Sequence, residues 1–298
     1  MRVLITGGSG LLGQYLNIEL SKRNHILTIY NHHRGNTSNF NSLKIDLTEF
    51  SLLEKAIKNF KPDIIIHTAA ITSVEQATLM PKQKLFDINI NATGFIAEMC
   101  RAMNIKLIFT STDLVYDGSE FIKKSESSKL NPISLYAESK ILAEEKIIRS
   151  NCDYLILRVS LMFGYALNHS QNHFTTTIEL LRNKQTVHLF DDQFRSQISL
   201  KEAAKIISYL LNSNNWKDTI NLGGPERISR YSLVKRFAEF LNLNSKLIKP
   251  AKLSERENII KVFDVSMNVE KLLTTLKKIN SNYRISSIEE MFQEIGKH

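Results

Sequence analysis

Residues 2–13 constrain the fold more than any other stretch. Arg2-Val3-Leu4-Ile5-Thr6 is a short β-rich run that breaks into Gly7-Gly8-Ser9-Gly10. It resumes as Leu11-Leu12-Gly13, the start of an amphipathic stretch through Tyr15, Leu16 and Leu20. A buried strand feeding a helix through so tight a turn is the opening unit of a parallel α/β sheet. Glycines at 7, 10 and 13 let the backbone turn sharply and approach a pyrophosphate, whose charge then rests on the helix N-terminus. A purely structural turn would look the same, but the strand before it and the helix after it favour a dinucleotide site.

The alternation continues through Val159. Stretches 26–30, 43–45, 63–67, 105–110 and 154–159 read as strands, and 51–59 and 134–149 as helices. Pro81 opens a long helix in which Leu85, Ile88, Ala92, Ile96, Met99 and Met103 recur at helical steps. The fold class is therefore α/β, a Rossmann-like doubly wound parallel sheet with a smaller mixed α/β lobe. The dinucleotide-binding domain is read as 1–164, with the chain returning to it around 184–222. Residues 165–183 and 223–298 are read as the substrate-binding lobe.

Lys and Arg total 39 against 30 Asp and Glu, a net charge of +9, but no block of five or six basic residues occurs. That pattern favours a small anionic ligand and argues against nucleic acid. No apolar run approaches the roughly 18 residues of a membrane span, and the N-terminus turns polar too soon for a signal peptide. The two cysteines, Cys100 and Cys152, lack metal-ligand spacing and read as free thiols of a reducing, cytoplasmic compartment.

Tyr136 and Lys140 share a helix face at i and i+4, with Ser134 as the expected N-cap. Alone, such a pair is common surface decoration. It gains meaning beside Ser111-Thr112-Asp113, which ends the strand begun at 105, because ligands of open parallel sheets bind at the carboxyl ends of strands.

With these residues in place, the chain resembles an extended short-chain dehydrogenase/reductase of the dTDP-4-dehydrorhamnose reductase family over nearly its whole length. The resemblance rests on Thr6-Gly-Gly-Ser-Gly-Leu-Leu-Gly13, Lys44-Ile-Asp-Leu-Thr48, His67-Thr-Ala-Ala-Ile-Thr-Ser-Val-Glu75 and Asp87-Ile-Asn89. It continues through Ser111-Thr-Asp-Leu-Val-Tyr-Asp-Gly118, Tyr136-Ala-Glu-Ser-Lys140, Leu157-Arg-Val-Ser160, Phe163-Gly164 and Asp192-Gln193. It implies a catalytic triad of Thr112, Tyr136 and Lys140: Tyr136 gives a proton to a carbonyl oxygen that Thr112 holds, and Lys140 also binds the nicotinamide ribose. The lysine and the nicotinamide are expected to favour the phenolate and bring the phenol's pKa of about 10 closer to working pH. It further implies cofactor contacts at Gly7, Gly10, Leu11, Leu12, Gly13, Asp46, Leu47, Ala69, Ala70 and Val159, with Tyr136 and Lys140. Substrate contacts are implied at Thr72, Val74, Asp113 and Arg195. Asn89 is expected either to position Lys140 through water or to pack between helices.

Cofactor choice turns on the end of the second strand, where NAD sites usually carry an acid. Here Asn31 stands there, followed by His32, His33 and Arg34, which favours NADP(H), with NAD(H) as the alternative. Two departures leave the substrate open: Leu161 replaces a stacking tryptophan, and Phe194-Arg195-Ser196-Gln197 replaces Gly-Ser-Pro-Thr. The implied activity is reduction of a keto group on a nucleotide-activated sugar. The alternatives are an epimerase or dehydratase on the same fold, and a non-catalytic NADP-binding subunit like the methionine adenosyltransferase β subunits. Leu114, where dehydratases carry glutamate, argues against dehydration. The resemblance also raises a homodimer and an interfacial Mg2+, whose ligands the sequence does not locate.

Overall fold

The computed structural model describes residues 1–168, 171–257 and 260–296. The remaining positions of the 165–183 and 223–298 stretches lie outside the described residues. In chain order the first half comprises β1 (Arg2–Thr6), α1 (Leu11–Ser21), β2 (His25–Tyr30), β3 (Ser42–Lys44), α2 (Phe50–Phe60), β4 (Ile64–His67), α3 (Val74–Leu79), α4 (Lys82–Phe86), α5 (Ala92–Met103), β5 (Lys106–Thr112), α6 (Leu135–Ser150) and β6 (Tyr154–Val159). There follow β7 (Met162–Phe163), α7 (His173–Arg182), β8 (Val187–Phe190), β9 (Phe194–Arg195), β10 (Ile198–Ser199), α8 (Leu200–Leu210), β11 (Asp218–Leu222), β12 (Ile228–Ser229), α9 (Arg230–Phe240), β13 (Ile248–Ala251), α10 (Glu270–Ile279) and α11 (Ile288–Ile295).

Seven strands form one sheet in the order β11-β6-β5-β4-β1-β2-β3, and every pairing within it is parallel. The order reverses between β1 and β4, so the glycine turn after β1 opens at the topological switch point, where such sheets bind ligands. Register then gathers the candidate residues: Thr6 pairs with His67, His67 with Phe109, and Thr112 with Val159, all along the carboxyl edge.

Both faces of the sheet are covered, as near-continuous apolar strands require. On one face Leu4, Leu27, Ile65, Leu107 and Ile156 pack with Leu53, Ile57, Ile96, Ala143 and Ile147 of α2, α5 and α6. On the other, Val3, Ile5, Ile66, Ile108 and Leu157 pack with Leu12, Leu16, Ala203 and Ile207 of α1 and α8. That second core runs on into Phe174, Phe237 and Phe292, so the smaller lobe shares its interior with the sheet. Each fully buried side chain of this size contributes about 1.5–3 kcal/mol.

Two local readings are revised. The helix expected from Pro81 to Met103 is not one α-helix: between α4 and α5 the chain forms a π-helical turn, Asp87–Asn91. At the start of the 184–222 return, Val187–Phe190 forms β8, which pairs with β13 outside the large sheet. Its four residues bury only Val187 fully, too little for a strand covered on both faces. Within 184–222 the sheet is rejoined by β11, with α8 packed on α1.

Candidate active site

The glycine turn is built to admit an anion. Gly7 has φ +71°, and a Cβ there would lie 2.7 Å from the Ala69 nitrogen. A Cβ on Gly13 would lie 2.1 Å from the Gly7 carbonyl oxygen. Gly10 caps α1 with no side-chain hydrogen bond, and the first turn holds no acid, so the N–H groups of Leu11, Leu12 and Gly13 are left for a ligand. Asn17 secures the turn by donating to the Gly8 carbonyl and to Asn36 Oδ1, both at 2.9 Å. These residues fit a dinucleotide pyrophosphate. Among the described residues no cluster of three or more His, Cys, Asp or Glu side chains is arranged to hold a metal ion.

Thr112 ends β5, and Tyr136 and Lys140 lie on α6, which packs on that strand. Ser134 caps α6, accepting from the Ala137 N–H at 3.1 Å, and so fixes the phase of the helix. Tyr136 and Thr112 are each 7% exposed; the Thr112 hydroxyl donates to Asp113 Oδ1 at 3.4 Å and accepts from the Leu114 N–H at 3.2 Å. Val74, Ile71, Leu114 and Ala77 wall the phenol in an apolar cluster, and that wall includes one of the residues expected to meet substrate. Thr72 is exposed beside it. In the free protein burial pushes the Tyr136 phenol up to about 12; the nearby Thr112 hydroxyl lowers it and the charge of Asp113 adds to the rise. The expected phenolate is thus not favoured before ligands bind. The tyrosine stands as a fully protonated donor.

Lys140 is 3% exposed, and burial brings its amine down to about 7 while the charge of Glu144 opposes the fall. Its Nζ lies 4.0 Å from the ring centroid of Phe109. Among the described residues no ion pair reaches it. Glu144, one further turn along α6, is taken by Arg158: Nη2 to Oε2 at 2.8 Å and Nε to Oε1 at 3.2 Å. The spacing 136, 140, 144 marks this residue on one helix face, a signal the sequence reading did not use.

Beneath the lysine runs a buried hydrogen-bond chain. Thr93 Oγ1 donates to the Asn89 carbonyl at 2.7 Å, so it accepts from His67 Nε2 at 2.9 Å. His67 Nδ1 therefore accepts from Thr6 Oγ1 at 2.6 Å. Burial and the charge of Lys140 hold the imidazole pKa down to about 3, so it stays neutral. The Asn89 side chain accepts from the Ile71 N–H at 2.8 Å and donates to the Ile71 carbonyl and to Ser139 Oγ at 3.1 and 2.9 Å. Both amide hydrogens are committed, so Asn89 ties the loop after β4 to α6 between Tyr136 and Lys140. The π-turn delivers it there, as π-turns often do at functional sites.

After β2, Asn31 carries no charge, but Asp46, just past β3, lies against it, Oδ2 accepting at 3.0 Å. Thr48 donates twice to the other oxygen, and these bonds hold the carboxyl pKa low. Arg34 donates to the Tyr30 hydroxyl at 3.0 Å and lies exposed. Leu47 is buried in the core behind. Ala69 and Ala70, half-buried, line the loop against Gly7, and Val159 closes β6.

Asp113 and Arg195, both expected to meet substrate, are buried against each other, Nη1 to Oδ1 at 3.2 Å. Ser160 Oγ donates to the other carboxylate oxygen at 3.2 Å. Burial still raises the Asp113 pKa, against the pull of Arg195. Both cysteines are free and buried. No helix among the described residues is long and apolar enough to cross a membrane.

A seven-stranded parallel sheet with a glycine turn at its switch point and a Thr-Tyr-Lys set at the same edge defines an NAD(P)-dependent oxidoreductase of the short-chain dehydrogenase/reductase class. More narrowly, the chain belongs to the dTDP-4-dehydrorhamnose reductase family, whose RmlD substrate binding domain profile matches residues 1–296. It is 28% identical over 224 residues to a dTDP-4-dehydrorhamnose reductase of Aggregatibacter actinomycetemcomitans, spanning 74% of this chain and 71% of that one. It is 24% identical over 254 residues to methionine adenosyltransferase 2 subunit beta of Bos taurus, spanning 84% and 75%. In structure it is similar to a dTDP-4-dehydrorhamnose reductase from Bacillus anthracis solved with NADP, with a TM-score of 0.84 and 23% identity over 99% of this chain and 98% of that one.

Proposed function

We propose that this protein is an NADP(H)-preferring reductase of a keto group on a nucleotide-activated sugar. The observation that carries this reading is that Thr112, at the strand edge that also opens the glycine turn, and Tyr136 are buried within each other's influence, with Lys140 one helical turn along. The glycine turn, with Leu11 and Leu12, would hold the dinucleotide, and that cofactor supplies hydride when bound. Asp46, Leu47, Asn31 and Arg34 lie toward its adenosine end, and Ala69, Ala70, Val159 and Lys140 toward its nicotinamide end.

The chain's own groups do the rest. Tyr136 Oη gives its proton to the substrate oxygen as negative charge gathers there, and Thr112 Oγ1 orients that oxygen. The phenolate left behind gains from a charged neighbour, which Lys140 provides as an ammonium over the Phe109 ring. Thr72, Val74, Asp113 and Arg195 would contact the substrate.

The non-catalytic alternative keeps the same fold but gives the proton donor no task. Purified protein mixed with NADPH and a panel of dTDP- and UDP-linked 4-keto sugars should oxidise NADPH with at least one of them, and little or not at all with the free sugars. Thr112→Val serves as the control. Failure of every nucleotide sugar, with NADPH bound and a partner protein co-purifying in stoichiometric amount, replaces the reductase reading with the subunit reading.

A further inference from the structure

The turn after β2 carries Arg34 at its exposed edge, yet its inner side is anchored by buried side-chain amides. Gln14 and Asn17 of α1 are fully buried, and Asn36 is 4% exposed. Backbone groups fix which way all three amides point. The Asn36 N–H donates to Gln14 Oε1 at 3.0 Å, so the Gln14 amide nitrogen is the end that donates to the carbonyls of Ser9 and Leu167, at 3.1 and 3.0 Å. Asn36 Nδ2 donates to the Gln14 carbonyl at 2.9 Å, which leaves Asn36 Oδ1 to accept from Asn17 Nδ2. Asn36 is thus held to α1 at its N–H and at both ends of its side chain, while Asn17 holds the glycine turn through the Gly8 carbonyl.

The rest of the turn is shaped to this anchor. Gly35 takes φ +55°, and a Cβ there would lie 2.9 Å from Gln14 Cδ, so only glycine lets the turn close on the helix. Thr37, fully buried, donates to the Arg34 carbonyl from its N–H at 3.0 Å and from Oγ1 at 2.7 Å. The carbonyls of Gly8, Gln14 and Arg34 are therefore all engaged by buried donors. Tyr30 takes Nε of Arg34, and among the described residues its two terminal nitrogens have no acceptor. What the turn offers outward is a guanidinium fork.

We infer that Asn36 is a positioning residue for cofactor selection: by pinning the 34–37 turn to α1 it holds Arg34 ready for the 2′-phosphate of NADP(H). This role deepens the NADP(H) preference proposed above and rests on it. An arginine on a free surface turn would lose backbone freedom when it grips a phosphate, and that loss would consume much of the contact's value. Here the backbone is ordered beforehand, so the charge-assisted contact keeps its strength. The same helix that presents its N-terminus to the pyrophosphate carries Gln14 and Asn17, so the anchor also fixes Arg34 relative to the rest of the dinucleotide. NADH, which lacks the phosphate, takes nothing from Arg34 and gains nothing from the anchor.

The test is calorimetric titration of the full chain with NADPH and with NADH. Asn36→Ala should weaken NADPH roughly ten-fold and leave NADH within about two-fold. In an Arg34→Gln background the same substitution should change NADPH by less than about two-fold, because Asn36 acts through Arg34. A melting curve checks that each variant is folded. Should Asn36→Ala not fold, Gly35→Ala leaves Asn36 in place but forces the turn away from Gln14, and it should show the same selective loss. Equal weakening of both cofactors, or additive effects of Asn36→Ala and Arg34→Gln, makes Asn36 a purely structural residue and overturns the inference. A preference for NADPH that survives Asn36→Ala undiminished overturns it too, and leaves the preference itself standing. Equal affinity for the two cofactors in the unmutated protein overturns the preference, and the role of Asn36 falls with it.

Discussion

Replacing Lys140 by Met should make the free protein more stable while abolishing turnover. The ammonium is almost wholly enclosed, with an aromatic face below it and no ion pair among the described residues. Its pKa falls from the ordinary 10.5 to about 7, which corresponds to about 5 kcal/mol of destabilisation whenever the folded protein holds the amine charged. Because the lower value belongs to the folded state, the unfolded chain holds the extra proton between about pH 7 and 10.5, and stability climbs with pH across that window. The cost is present in full below about pH 7 and vanishes above 10.5. Methionine fills similar volume and carries no charge. At about 2–4 °C per kcal/mol for a chain of this class, the variant should melt about 10 °C higher than the unmutated protein at pH 6. The gain should shrink to a few degrees near pH 9. Thermal denaturation without cofactor at pH 6, 8 and 10 measures it. A gain that does not change with pH, or a loss at pH 6, refutes the reasoning and means that the amine is paired or hydrated in the folded protein.

Tyr136→Phe keeps the ring in its apolar wall and removes the proton donor, so kcat should fall about 10²–10⁴-fold with NADPH affinity within a few-fold; substantial residual turnover would assign the proton to another group. Asn31→Asp should shift preference from NADPH toward NADH by roughly ten- to a hundred-fold, read by direct titration of both cofactors. Equal affinity for the two in the unmutated protein sinks that idea and leaves Arg34 a surface residue stacked on Tyr30.

What the sequence makes legible here is what short-range physics decides. The apolar runs of β1 and β4 to β6, the turn at residues 7–13 and the Ser134 cap need only neighbours within one or two turns of chain, and each forms where the pattern places it. The carboxyl-edge grouping of Thr6, His67 and Thr112 follows from parallel register once those strands exist. The π-turn at Asp87–Asn91 had no such signal. Steps of three and four from Leu85 to Met103 suit an unbroken α-helix, and what selects the wider turn is tertiary: Asn89 must reach both Ile71 and Ser139.

The groups that tune the site lie in that second class. Thr112, Tyr136 and Lys140 occupy a strand end and one helix face, positions a periodicity argument can find. The groups that set their charges are paired across long stretches of chain: His67 with Thr93, Glu144 with Arg158, and Asp113 with Arg195. Each of those pairs is buried or nearly so, where a charge costs most and a partner matters most. The chemistry a fold of this kind performs is therefore written locally. The protonation state in which the free protein waits, a neutral His67, a half-titrated Lys140 near pH 7 and a protonated Tyr136, is written in contacts that exist only after the sheet has closed.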